Sequence, residues 1–557
     1  MRYSFAGLSA LVLLAACGGE PRERSTEAAD MSSAGAGTTD VDGSRLGTVV
    51  LAGTCAGLAD GHLERGLALL HSMTYEEAAE AFDAATEADP NCAMGYWGQA
   101  MTFVHPLWSD PPSEQTFERG LELLAAAREH AATDQELAYI EALAAYYDAG
   151  RSVSETPNLV AFEAGWRGFY DAYPEDPEGA AFYALAQLGT VDPADKTYSK
   201  QRQAGALAEQ VLASVPDHPG AHHYIIHAYD NPALSAGAED VARGYSGVAP
   251  ELPHALHMPT HTFTRLGLWQ ESIDWNRRSA DAALKRPVGE QKSLHYFHAL
   301  DYLAYAYLQG AEDGRAEAVL EELLAVEPPY QPHLASAYTF AAVPARLLLE
   351  QHLWAEAADL EPRSPGDYPW DTAASSEAIT YFARALGAAR AGRFEDSRVN
   401  LETLTSLQEK VAAASPYWGT QLEIQHLSAL AWLQFEEGRR EEGLATMRSA
   451  AEMESGTEKH PVTPGEVLPA NELLADMLLE MNRPAQALAA YETALDRSPN
   501  RFNSLYGAGR AAELSGDEAT AAAYYGALLE VAADADRPRD RLQHARRYIE
   551  GRETSSA

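Results

Sequence analysis

The sequence predicts an all-α solenoid of about twelve helical hairpins, and three observations predict it. The segment TYEEAAEAFDAATEADPN (74–91) sets Ala78, Phe82 and Ala85 on one helical face and stops at Asp89-Pro90. The same pattern returns as RPAQALAAYETALDRSPN (483–500), through Ala487, Tyr491, Ala494 and Pro499, and as GDEATAAAYYGALLEVA (516–532), through Ala521, Tyr525 and Leu528. Finally, the roughly 510 residues that follow the N-terminal segment far exceed what one compact core needs.

Taken from the N-terminus, the chain opens MRYSFAGLSALVLLAACGGE, with Arg2 ahead of an apolar run from Phe5 to Ala16. That run is too short to span a bilayer and has the layout of a secretory signal, assigned to residues 1–16. Leu14-Ala15-Ala16-Cys17 resembles a bacterial lipobox, which implies cleavage before Cys17 and lipidation of its thiol. Gly18 follows, without the aspartate that retains such proteins in the inner membrane. The expected location is the cell envelope, lipid-anchored in the outer membrane and facing the periplasm. Residues 17–45 are rich in Ser, Gly, Ala, Thr and charge without apolar periodicity, so they read as a flexible tether. The helical array is assigned to 46–549, with a disordered tail at 550–557. Beyond Cys17 only Cys55 and Cys92 remain. An even pair in an oxidising compartment suggests one disulfide, with two buried free thiols as the alternative.

Within the array, alanine lets the two helices of a hairpin approach closely, large residues fill the gap to the next, and proline stops the helix. Weaker copies stand at GLWQESIDWNRRSADAA (267–283) and GRFEDSRVNLETL (392–404). These segments resemble helix B of the tetratricopeptide repeat (TPR), a 34-residue helix-turn-helix unit. The resemblance implies a right-handed solenoid of TPR-like hairpins across nearly the whole array. It is specific for fold and almost silent on function, because such arrays mostly bind other proteins. The blocks AHHYIIHAYD (221–230) and HALHMPTHTFTRLGLW (254–269) also resemble segments of bacterial TPR proteins, a likeness that supplies no activity.

Composition excludes some functions. The formal charge is −41, from 82 acidic and 41 basic residues, and no basic stretch stands out. Such a chain repels phosphate backbones, so nucleic acid is not an expected partner. There is no HExxH, no GxSxG and no phosphate-cradling glycine loop.

Histidine carries the functional signal. Nine of the eighteen histidines fall between His218 and His298. Pro216 and Pro250 each follow a helix B, 34 residues apart, and Pro219 and Pro253 each open the next helix A. The TPR resemblance implies that the second, fifth and ninth places of helix A face the concave groove. Counted from the prolines, those places hold His223 and His227, then His254, His257 and His261. Anchored on Ala316, Leu320, Leu323 and Pro328, the following hairpin offers His298, Asp301 and Tyr305, with His295 beside them. Spacings of three and four keep these side chains on one helical face, and neighbouring helices lie ~8–10 Å apart. Inward-reaching imidazoles on three helices can therefore share an ion. Pro259 is expected to kink the second helix and re-aim His257 and His261.

The predicted ligands are His223, His227, His257, His261, His298 and Asp301. His254, His295, Tyr305, Trp97, His71 and His105 are predicted to line the groove. Mostly nitrogen donors suit a divalent transition metal, Zn, Cu, Ni or Fe, better than Mg or Ca. Asp301 is either a ligand or a partner that orients an imidazole. Asp230, three residues after His227, and Tyr229, Tyr302 and Tyr305 lie close by. His460, in KHPVTPGEVLPANELL (459–474), reads as part of a helix entry, with Glu466 able to cap the helix or the groove. Two functions remain: a metal site, open to hydrolytic or oxidative chemistry, and a metal-free scaffold binding a protein or peptide in the groove for envelope assembly.

Overall fold

The computed structural model describes residues 37–556 apart from 42, 52, 109 and 153, with side chains through Arg552. The signal segment 1–16, the lipidation site Cys17 and the greater part of the 17–45 tether lie outside the described residues.

From Leu58 onward the described chain is twelve helical hairpins followed by a last helix, Asp540–Ser556. The first hairpin pairs Leu58–His71 with Tyr75–Ala88, and the twelfth pairs Phe502–Leu514 with Glu518–Val531. The helices Tyr75–Ala88 and Pro484–Arg497 bury the residues that the repeat pattern selects: Ala78, Phe82 and Ala85 in one, Ala487, Tyr491 and Ala494 in the other. Phe82 wedges against Gly66 of its own hairpin and Gly98 of the next. A Cβ on Gly98 would come within 2.3 Å of the ring, so the large-into-small fit is strict. Successive A helices stack on one another, as Leu294–Gln309 does on Leu334–Leu349.

Late hairpins also return to the middle of the array. Trp269 Nε1 donates to the Asn500 carbonyl at 2.9 Å, and Lys196 Nζ donates to the Thr457 carbonyl at 2.6 Å. Arg501, fully buried, bridges Glu350 and Glu472 at 2.9 Å each. The Lys196 contact, with Lys459 Nζ on Asp230 Oδ2 at 3.0 Å, carries the loop between the helices Arg440–Ser455 and Ala470–Glu480 across the middle hairpins.

Two expectations about the ends change. Residues 37–41 and 43–45, assigned to the tether, are held: Thr38–Thr39 pairs antiparallel with Arg45–Gly47. Asp40 between them is buried under Arg65 and Arg286, each at 2.8 Å. Paired by two guanidiniums, this carboxylate fixes a segment whose composition alone looks unstructured. The last helix also runs on to Ser556, past the expected boundary at 549. There Arg552 Nη1 donates to the Glu518 carboxylate at 3.0 Å. Cys55 and Cys92 are joined by a disulfide with their Cα atoms 4.7 Å apart, tying the segment before the first helix to the entry of the second hairpin.

Candidate metal centre

Proline begins two of the helices that carry the clustered histidines. Pro219 opens Pro219–Ala228 and Pro253 opens Pro253–His257, each in the first turn where its missing N–H is harmless. The break at Pro259 is local. Met258 keeps helical angles (φ −52°, ψ −40°) and donates to the His254 carbonyl at 2.9 Å, so Pro259–Leu266 carries on the turn. Leu294–Gln309 supplies the third row of histidines.

These helices divide the histidines into two groups of three. His223, His227 and His254 form one, and His257, His261 and His298 the other, each with its ligand atoms within 4.8 Å of one another. In the first, His223 Nε2 and His254 Nε2 are 3.2 Å apart; in the second, His257 Nε2 and His261 Nε2 are 3.0 Å apart.

The far side of each ring decides what those nitrogens carry. His257 Nδ1 lies 2.8 Å from Asn276 Oδ1, and Asn276 Nδ2 donates to the Ser272 carbonyl at 2.8 Å, which fixes the amide with its oxygen toward the ring. His261 Nδ1 lies 2.9 Å from Asp230 Oδ2. Both Nδ1 atoms face acceptors and so carry the proton. The two Nε2 atoms are left as lone pairs pointing at each other. Likewise His223 Nδ1 donates to the His71 carbonyl at 2.7 Å, which frees its Nε2. His254 Nδ1, His298 Nδ1 and both nitrogens of His227 are buried with no hydrogen-bond partner among the described residues.

Electrostatics keeps these donors neutral. Burial lowers His223 to about 3 and pushes His227, His254, His257 and His298 well below the ordinary imidazole value. Burial also lowers His261, against the pull of Asp230. A proton shared between His257 and His261 is opposed by the same burial. Asp230 accepts from Arg265 Nε at 2.8 Å and Lys459 Nζ at 3.0 Å. Burial would raise its carboxyl, but Lys459 and Arg265 outweigh that and hold it well below the usual range. Burial in turn brings Lys459 down to about 8.

A third cluster combines His71 and His218 with Glu178. Here every nitrogen is matched. His71 Nε2 meets Glu178 Oε2 at 2.7 Å and its Nδ1 meets the Tyr224 hydroxyl at 2.9 Å. His218 Nδ1 accepts from the Ala221 N–H at 3.0 Å, so its Nε2 donates to Glu178 Oε1 at 3.2 Å. The Val50 N–H also donates to Glu178 Oε1, at 2.7 Å.

Register reasoning thus brings five of its six predicted ligands into the two groups and misplaces the sixth. Asp301 pairs with the buried Arg346 and belongs to neither group. It follows His298 by three residues, but the guanidinium captures its carboxylate. His254, predicted only to line the groove, takes a full place in the first group. His295 stands 5.1 Å ring to ring from His254. Tyr305 turns away to accept from Arg501 at 3.0 Å. Trp97 is a core residue, fully buried among Tyr139, Trp166 and Phe182. His105 is engaged by Thr102 and Asp110, outside all three clusters. His71 joins the Glu178 cluster, and Glu466 pairs with Arg497 at 2.7 Å.

Sequence reasoning did not find Asn276, Arg265, Lys459 or Trp108. Trp108 stands between hairpins with its ring 5.4 Å from His254 and 5.6 Å from His298. The loop that carries Lys459 closes over the second group, where the Tyr302 hydroxyl reaches the Pro461 carbonyl at 2.9 Å and His261 Nδ1 at 3.3 Å. A cavity of about 1180 Å³ reaches the first group at His227, with Asp230, His333, Lys459, His460 and Trp418 among its other walls.

Residues 468–501 match the family described as tetratricopeptide repeat. No curated protein matches the chain. Among solved structures, the chain is similar to a human IFIT1 dimer with PPP-AAAA at 12% identity, covering 86% of this chain and 91% of that one, with a TM-score of 0.38. It is similar to the P58(IPK) TPR domain at 13% identity, covering 89% of this chain and 99% of that one, with a TM-score of 0.19. It is also similar to Naa15/Naa10 bound to HypK-THB at 13% identity, covering 89% and 74%, with a TM-score of 0.24. One full tetratricopeptide repeat, residues 468–501, is thus matched inside an array of helical hairpins.

Proposed function

We propose that this protein binds transition-metal ions in its two three-histidine groups. One observation carries the reading: His257 Nε2 and His261 Nε2 face each other at 3.0 Å while both Nδ1 atoms are committed to acceptors. Facing lone pairs repel, and a cation between them turns repulsion into ligation. Acceptors on the far nitrogen, such as Asp230 and Asn276, are the partners that orient metal-bound imidazoles. An all-imidazole donor set suits Zn, Cu, Ni or Fe. Hydrolytic or oxidative chemistry needs a coordination position open to substrate, and the cavity walls at His227 and Asp230 support one. The lipobox resemblance at Cys17 supports a lipid-anchored protein facing the periplasm.

The test is elemental analysis of the mature protein without its lipid, loaded with each candidate metal and desalted. Stoichiometric metal is expected, and its loss in His223→Ala plus His257→Ala. A parent protein that stays metal-free under replete conditions sinks the reading. The second reading, a metal-free scaffold for a protein or peptide, draws on the repeat array itself. A specific partner retained from envelope extracts after chelation, and by the histidine variants, favours it.

A further inference from the structure

The two histidine groups are not separated by other side chains. His227 of the first group and His261 of the second are 5.3 Å apart, ring centre to ring centre. His254 of the first lies 5.9 Å from His257 and 6.4 Å from His298 of the second. Three ring contacts thus join the groups, and each group keeps its own close nitrogen pair. Metal–nitrogen bonds of about 2.0–2.1 Å put each ion deep within its own trio. Abutting trios then bring the two ions toward the spacing of two-metal sites, about 3.5–4 Å, where one small ligand touches both. A route for that ligand exists, because His227 and Asp230 form part of the cavity wall.

We propose that the two groups form one dinuclear centre whose shared coordination position takes a small anion of the hydroxide class. The proposal rests on the metal-binding reading above. Neither group holds a carboxylate, so two divalent ions bring four positive charges to six neutral donors. A bridging anion offsets part of that charge, and Lys459, bonded to Asp230, stands on the same cavity wall.

The experiment uses Cu(II) alone as the probe, added to the metal-free mature protein at one and two equivalents. Copper content is measured by elemental analysis and spin by electron paramagnetic resonance. The dinuclear centre is expected to bind two coppers per chain, with spin intensity at two equivalents well below that of two isolated ions. Azide is expected to give a new charge-transfer absorption at two equivalents. His227→Ala and His298→Ala, each disabling one group, are expected to hold one copper with full spin intensity and no such band. Folding of both variants is checked by circular dichroism, and the parent titration decides alone if either misfolds. Two coppers with the intensity of independent ions, a single copper in the parent, or no azide band overturns the dinuclear centre and leaves metal binding standing. No copper at all overturns both.

Discussion

The His257–His261–His298 group and the His71–Glu178–His218 group are alike in ingredients and opposite in state. Both are buried and both bring three ligand atoms within 4.8 Å. Around Glu178 each imidazole nitrogen has a complementary partner, so the cluster is complete as it stands. Around His257 two lone pairs point at each other, and His298 Nδ1 has no hydrogen-bond partner among the described residues. Proximity of ligands is therefore a poor sign of a metal site, whereas a count of donors against acceptors separates the two cases. The first group, with both His227 nitrogens unpartnered among the described residues, falls on the incomplete side.

The widest test of this contrast is pH, applied to metal-free protein. Imidazoles held neutral by burial have folded values below the ordinary 6.5, with His223 at about 3 and His295 at about 4. The unfolded chain takes up protons that the folded chain refuses, so their contribution is complete above 6.5 and is lost as pH falls toward those values. Each such group costs about 1.4 kcal/mol per pH unit in that window. The Glu178 carboxyl would be raised by burial, but His218 and His71 outweigh that and depress it below its ordinary 4.5. Its contribution is complete above 4.5 and is lost only below it. Denaturant midpoints of metal-free protein should therefore fall steeply between pH 6.5 and 4.5, before the Glu178 carboxylate begins to contribute. A flat profile over that range contradicts the neutral-imidazole description.

Glu178→Ala separates the clusters at one residue. It strips a buried carboxylate from His71, His218 and the Val50 N–H, at an expected cost of about 3–5 kcal/mol. Urea unfolding reads that loss, while metal content per folded chain should not change. His223→Ala plus His257→Ala should do the reverse for metal: saturating metal, at about a thousandfold above Kd, stabilises the parent by about 4 kcal/mol, and that increment should vanish. If metal content falls with Glu178→Ala in a chain shown to be folded, the third cluster is more than structural.

Much of this fold is legible in sequence because its code is local. An alanine at a fixed helical place and a proline at a fixed interval suffice to place Tyr75–Ala88, Pro484–Arg497 and the starts at Pro219 and Pro253. The histidine register is legible for the same reason, since a residue's place on its own helix sets the face it presents. Partners from distant sequence are not. Asp301 has the right register, yet Arg346, 45 residues on, claims it. Lys459 comes to Asp230 from 229 residues away through a loop whose course no repeat dictates. Asp40 looks like tether and is ordered by Arg286, 246 residues downstream. The division into two groups was likewise hidden, because it turns on ring orientations across neighbouring hairpins.

The finest distinction within the incomplete group is the one between its two acceptors. Asp230 is a charged acceptor for His261, and Asn276 is a neutral one for His257. A carboxylate behind a metal-bound imidazole raises its basicity, so the two acceptors should not be equivalent. Asp230→Asn keeps an oxygen for His261 Nδ1 but removes the charge that also pairs with Arg265 and Lys459. Metal affinity, read by competition with a chelator of known strength, should fall about 10–100-fold, with stoichiometry at saturation unchanged. Equal affinity in parent and variant would mean that Asp230 serves Arg265 and Lys459 alone, and that His261 ligates without its help.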